Sequence, residues 1–236
     1  RPARRALNAL EIAVLTTMPD SEGAVRLTLK IAEESIQHKA VLYDHDGDGH
    51  YDTISAFIKS MRGSNPDAAV FWLAKMIEAG EDIRFIARRM LIFASEDIGN
   101  ADPDALTVAT SCATAIDIVG LPEARIILAQ TVVYLATAPK SNASYRAVEE
   151  ALGDVRKGRI PEVPVHLRNA VSAASERMGF GKDYKYPHEY DGHFVDQDYG
   201  DIGKRYYEPS GIGYEKVIKE RLEGWRKQRK NSDRRS

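Results

Sequence analysis

One cysteine, Cys112, stands in 236 residues, so the chain forms no internal disulfide and suits a reducing compartment. No apolar run approaches the ~20 residues that span a bilayer, and no secretory leader opens the sequence. These absences set the expectation of a cytoplasmic protein, nucleoid-associated if bacterial, with no membrane partner. An initiator Met is missing too: "RPARRALN" reads as helix from its first residues, as expected of a piece cut from something larger. Frames that carry common chemistry are likewise lacking. The two Gly-Lys pairs, in "GFGKD" and "DIGKR", do not fit G-x-x-x-x-G-K-[ST], and no nucleophile elbow surrounds a serine. His188 and His193 stand five apart in an acidic loop, without Cys partners or helical i, i+4 spacing, so no metal site is expected there. Charge of one sign is not in excess either: 33 Lys/Arg face 35 Asp/Glu, net −2. A local surplus is present at the end, where Glu215–Ser236 holds nine cations against four anions.

What is there is helical punctuation. Ile54, Phe57, Ile58 and Met61 recur at i, i+3, i+4, i+7, with Gly63 at the place of a left-handed C-cap. "NPDAAVFWLAKMIEAG" offers Asn65 as N-cap, Pro66 at the first helical position and Gly80 past the end. "DIRFIARRMLIFASED", apolar at Ile83, Ile86, Ala87, Met90 and Leu91, predicts a third helix. "DPDALTVATSCATAIDIVG" and "PEARIILAQTVVYLATAP" predict two more, apolar nearly all round and so buried on most sides. "SNASYRAVEEALGDVRKG", capped by Ser141 or Asn142, closes six consecutive helices with short turns. A helix is expected over 2–16 and a weaker one over 31–37, with Thr28 as its candidate cap. Beyond Pro161 periodicity fades, yet seven of the eleven tyrosines lie past residue 180; this tail is expected to pack on the helical body or on a neighbour. A last helix is expected over about 213–229.

The stretch "YDHDGDGHYD" opens as a calcium loop does, with Asp44, Asp46, Asp48 and Gly49. Its twelfth position is Ser55, where the cage requires a bidentate Glu, so the reading is an acidic turn ending in Asp52 as helix N-cap. Lys59 and Arg62 on one helix, and Arg88 and Arg89 on another, are the candidate DNA-phosphate contacts. Paired charges on a solvated helix face are the plainer account of the same four. "WRKQRK" sets an aromatic among cations, a combination that suits single strands by stacking plus charge, against the plainer reading of a solvated helix end. Cys112, on a buried helix, is expected to be inert. No catalytic residue emerges.

The run "YDHDGDGHYDTISAFIKSMRGSNPDAAVFWLAKMIEAGEDIRFIARRMLIFASEDIGNADPDAL" resembles the C-terminal region of the RarA/MgsA family of replication-associated recombination proteins, whose eukaryotic relative is the Werner-helicase-interacting protein. "GLPEARIILAQTVVYLATAPKSN", "VPVHLR" and "GKDYKYPHEY" continue the likeness. "RPARRALNALE" is similar to the last lid helix of clamp-loader-type AAA+ ATPases, with Arg1-Pro2 in place of the usual Gly-Asp. The resemblance implies that Arg4, or Arg5 in the alternative register, takes the place of the sensor-2 arginine that reaches ATP phosphates. It implies a full-length DNA-dependent ATPase using ATP and Mg²⁺, acting at stalled forks, gaps or DNA ends, with single-stranded-DNA-binding protein as a partner. The phosphate loop, Mg²⁺-binding motif and arginine finger of such proteins have no match here, so this stretch is expected to hold no cofactor and to be inactive alone. The fold expected is all-α, a helical-hairpin bundle like a clamp-loader collar. Residues 1–40 would be the end of the lid, 41–160 the oligomerisation domain, and 161–236 an irregular tail with a terminal helix. A homotetramer is the implied assembly. A DNA- or partner-binding module with incidental self-association is the rival expectation.

Overall fold

A computed structural model describes residues 10, 14, 17, 24–31, 48–200 and 203–233. Among these, every regular element is helical, and the fold is all-α. Arg4, Arg5, Asp44 and Asp46 lie outside the described residues. The first long helix, α1, runs Asp48–Arg62, so the acidic stretch itself contributes the opening turn. Asp52 therefore stands inside the helix, not at its cap. Of the expected stripe, Phe57 and Met61 are fully buried, Ile54 nearly so and Ile58 only in part.

The turn after α1 corrects one expectation. Gly63 keeps an ordinary φ and donates to the Lys59 carbonyl (2.8 Å); the left-handed residue is Ser64, at φ 56°. A Cβ on Gly63 would stand 3.2 Å from that carbonyl, so glycine here permits a close approach rather than a positive φ. α2 (Pro66–Glu78) starts as its sequence dictates: Asn65 Oδ1 accepts from the Ala68 amide at 3.0 Å, Pro66 occupies the first position, and Gly80 follows the end at φ 70°. In α3 (Ile83–Phe93), Asp82 Oδ1 caps the Arg84 amide at 2.9 Å. Helix α3 ends earlier than its periodicity implies, because a π-turn over Ala94–Ile98 and a 3₁₀ turn over Gly99–Ala101 replace its last residues. Next come α4 (Asp104–Val119), closed by Gly120 at φ 69°, and α5 (Ala124–Thr137).

The contacts divide the chain into two compact units, 1–94 with 104–138, and 95–103 with 139–236. In the first, α1 packs on α2, α2 on α5, and α4 on both α3 and α5. Its core is Phe57, Met61, Leu73, Met76, Ile86, Met90, Phe93, Leu128, Val132 and Leu135. Burying each such side chain removes roughly 1.5–3 kcal/mol of apolar hydration, which drives the helices together. The expectation that α4 and α5 are buried on most sides is not met. α4 buries one stripe, Ala105, Ala109, Cys112 and Ile116, and leaves Leu106, Ile118 and Val119 in solvent. α5 likewise exposes Ile126 and Val133. All-round apolarity reports what a helix is able to bury, not how many neighbours it has.

The second unit contains α6 (Ala143–Arg156), a single-turn helix α7 (Ala173–Arg177) opened by a Ser172–Ser175 capping box, and α8 (Glu215–Asp233). α6 and α8 both pack on the 3₁₀ turn Gly99–Ala101. The aperiodic stretch beyond Pro161 holds a 3₁₀ turn, Val165–Leu167. α8 starts two residues later and runs four residues further than its sequence signal.

Candidate self-association surface and anchored tail

Helix α6 carries an uncovered apolar row. Tyr145, Val148, Leu152 and Val155 recur at i, i+3, i+7, i+10, the a/d spacing of a helix seam. They are 42%, 52%, 39% and 54% exposed. The charged neighbours Arg146, Glu149 and Arg156 are exposed as well, while Asp154, off that row, is buried. An amphipathic helix normally turns its apolar row inward; this one faces water.

In the first unit, α5 shows a second row: Ile126, Gln130, Val133 and Thr137 stand at i, i+4, i+7, i+11, all exposed. Threonines on this hairpin turn their hydroxyls back into their own helices. Thr110 Oγ1 donates to the Leu106 carbonyl (2.8 Å), Thr114 to Thr110 (3.2 Å) and Thr137 to Val133 (2.8 Å). A hydroxyl so satisfied asks for no outside partner, leaving the methyl as small apolar surface.

The aromatic tail is strapped to its own unit by two carboxylates. Glu215, fully enclosed at the start of α8, takes hydrogen bonds on Oε2 from Ser141 Oγ, Ser210 Oγ and the Ser210 amide, each 2.7 Å. Tyr207 donates to Oε1 at 3.0 Å, and Asn100 in turn donates to Tyr207 and to Ser144. Burial pushes the Glu215 carboxyl up, but donors from Ser210, Ser141 and Tyr207 together outweigh it and hold it below the ordinary range. Ser141 also accepts from the Ala143 amide (3.2 Å), so it is Ser141, not Asn142, whose side chain serves the start of α6. The second carboxylate is Asp154. Lys204 Nζ reaches it at 2.7 Å and Glu150 at 2.7 Å, and Tyr206 donates to Asp154 at 3.1 Å. The Lys204 hydrogen bond is the chief reason that Asp154 is held below its usual value. Farther on, Trp225 of α8 stacks on Phe194, centroids 5.7 Å apart and planes 2° from parallel. Its ring thus has a partner within the chain.

The four basic candidates lie on two helices, α1 and α3. Lys59 and Arg62 are exposed in the last turn of α1. Arg88 lies over the Phe85 ring at 5.2 Å, and Arg89 buries its Nε without a hydrogen-bond partner. Helices α1 and α3 pack mainly on α2, α4 and α5 rather than on each other. Cys112 is buried, and burial pushes its thiol up despite a hydrogen bond with Thr131. Among the described residues no three His, Cys, Asp or Glu side chains gather as a metal site, and no helix is long and apolar enough to cross a membrane. One open cleft of about 510 Å³ in the second unit is lined by Val165, His166, Lys182, Asp183, Lys185 and Asp198, where His166 Nε2 stands 2.7 Å from the Asp198 carbonyl. No nucleophile–base pair faces it. Sequence reasoning missed Glu215, Asp154 and Lys204, and took Ser141 only as a cap, because their partners are far apart in the chain; the weak signal was a lone Glu following the Gly213 turn.

The description "MgsA AAA+ ATPase C terminal" matches residues 63–226, and "AAA C-terminal domain" matches residues 2–62. The chain is 47% identical over 221 residues to replication-associated recombination protein A of Bacillus subtilis, covering 92% of this chain and 52% of that protein. It is 43% identical over 234 residues to the protein of that name from Escherichia coli K12, covering 98% and 52%. Against ATPase WRNIP1 of Dictyostelium discoideum it is 37% identical over 204 residues, 80% of this chain and 23% of that one. The chain therefore spans about half the length of its curated bacterial relatives. It belongs to the MgsA family of AAA+ ATPase C-terminal regions.

Proposed function

We propose that this chain is the self-associating C-terminal module of an AAA+ ATPase that works in DNA replication, recombination and repair. The observation that carries the reading is the row Tyr145, Val148, Leu152, Val155, apolar at seam spacing yet in solvent. A helix with that row gains stability when another helix covers it, and a second copy brings an identical surface. The assembly proposed is a homotetramer. Residues 1–40 belong, in this reading, to the end of a lid, with Arg4 facing ATP phosphates in the whole protein and residues 41–160 holding the subunits together. The names of the relatives support the setting. There the whole protein acts on single-stranded, gapped or forked DNA beside single-stranded-DNA-binding protein, in the cytoplasm.

Light scattering on the chain at tens of micromolar tests it. The chain should have the mass of several copies, and Val148→Asp with Leu152→Asp should reduce it to one copy while leaving the helical circular dichroism unchanged. A monomer before substitution refutes the reading.

A further inference from the structure

The sequence argued against a metal between His188 and His193, because positions five apart do not face each other on a helix; the structure sets them on something else. Two consecutive 3₁₀ turns, Pro187–Glu189 and Asp191–His193, pack on one another, and each carries one of the imidazoles. The chain reverses between them at Gly192 and His193, both left-handed, with φ 67° and 51°. A left-handed backbone is uncommon for a residue with a side chain, and here it returns the second ring to the first. The ring centroids stand 4.9 Å apart with planes at 55°, and Tyr186 backs His188 from 5.0 Å. Both histidines are exposed, and among the described residues neither imidazole takes part in a hydrogen bond or ion pair.

Two imidazoles that share one ion, each about 2.0–2.1 Å from it and ~90–110° apart, place their ring centroids roughly 4.5–5.2 Å from each other. The observed separation falls inside that range. The ring torsion of histidine is broad, so exposed rings turn their nitrogens to a common point at little cost. Charge supports a cation there. From Tyr186 to Gly203 the sequence has five carboxylates, Glu189, Asp191, Asp196, Asp198 and Asp201, and no Lys or Arg. No third His, Cys, Asp or Glu joins the pair among the described residues, which leaves the remaining positions of an ion to water.

We infer that His188 and His193 together bind one divalent transition-metal ion, of the Cu²⁺, Ni²⁺ or Zn²⁺ class that imidazole favours, at the surface of the second unit. Ca²⁺ and Mg²⁺ take oxygen donors and are excluded. With water in its other positions the ion is exchangeable, unlike one in the closed four-ligand shell of a structural zinc site. It cross-links the two turns and holds His193 in its left-handed conformation. Unlike the proposed function, this inference depends neither on self-association nor on nucleic acid.

The test is calorimetric titration of the intact, untagged chain with Zn²⁺. One ion per chain should bind, and His188→Asn or His193→Asn should each weaken it by more than the roughly tenfold that even an outer-shell partner contributes. His45→Asn, which removes an imidazole from the other acidic stretch, should leave the binding as it was. Cu²⁺, the strongest binder of the divalent series, should give an electron paramagnetic resonance spectrum with hyperfine structure from two nitrogens, reduced to one in either variant. Circular dichroism should be the same throughout, since both side chains are exposed. Rings that only pack against each other give no binding with chain and Zn²⁺ at tens of micromolar, and that result overturns the inference. So does binding that survives both single variants, or one ion per two chains, which would make it a bridge between copies.

Discussion

Ser141 and Glu215 lie 74 positions apart, and the hydroxyl of one donates to the carboxylate of the other across 2.7 Å. The same serine accepts the Ala143 amide, so one side chain ties the start of α6 to the start of α8. Removing the carboxylate strands Ser141, Ser210 and Tyr207 at once. Glu215→Leu should destabilise the second unit by on the order of 2–4 kcal/mol, since charged hydrogen bonds are worth ~1.5–3 each and do not add. Urea unfolding followed by tyrosine and tryptophan fluorescence measures it. An unchanged midpoint would mean that the anchor contributes little.

Acid should loosen the same region. Glu215 and Asp154 are both held below the ordinary carboxylate range, so the stability that each contributes is fully present above that range. It is lost as pH falls through the lowered folded values, beginning below ~4. In a Trp72→Phe background, Trp225 emission reports the Phe194 stack; it should stay constant from neutrality to about pH 5 and shift red below pH 4. A transition centred near neutrality would contradict the direction of both shifts.

Gly213 marks a second vulnerable point. Its φ is 56°, and a Cβ there would collide with the Ala101 carbonyl, the group that accepts the Tyr214 amide at 2.8 Å. Gly213→Ala should cost more than ~1 kcal/mol and raise protease cutting between residues 197 and 214. Gly224→Ala, in the helix with open space around its Cβ, should instead be neutral or stabilise by up to ~1 kcal/mol.

In the first unit Phe57 is fully enclosed. Phe57→Ala should cost about 3–5 kcal/mol, the range for emptying an aromatic site in a packed core. Thermal unfolding by circular dichroism checks it, and a loss under 1 kcal/mol would place Phe57 outside the cooperative core.

The helices were legible because their signals are local. Asn65, Pro66 and Gly80 bracket α2 through contacts that span only a few residues, and the stripe Ile54, Phe57, Met61 follows from the period of the helix. What the sequence withheld is anything decided at long range. An apolar row at 145, 148, 152 and 155 looks the same whether covered or bare, and only coordinates show it bare. The tail offered seven tyrosines without order; that Tyr206 meets Asp154 while its neighbour Tyr207 meets Glu215 depends on partners 52 positions back and 8 ahead. Ser64 taking the left-handed turn beside an available Gly63 is a local failure, and the Lys59 carbonyl, too near for a comfortable side chain, accounts for it.

The second unit is stitched from two stretches, with residues 95–103 made early and 139–233 late. During synthesis on the ribosome, the Gly99–Ala101 turn emerges more than a hundred residues before α8, which packs against it. The first unit has all its described helices once Thr137 has been translated, whereas the second waits for α8. Premature termination between Thr137 and Glu215 should therefore yield a folded first unit joined to an unfinished second, a natural target for quality-control proteases.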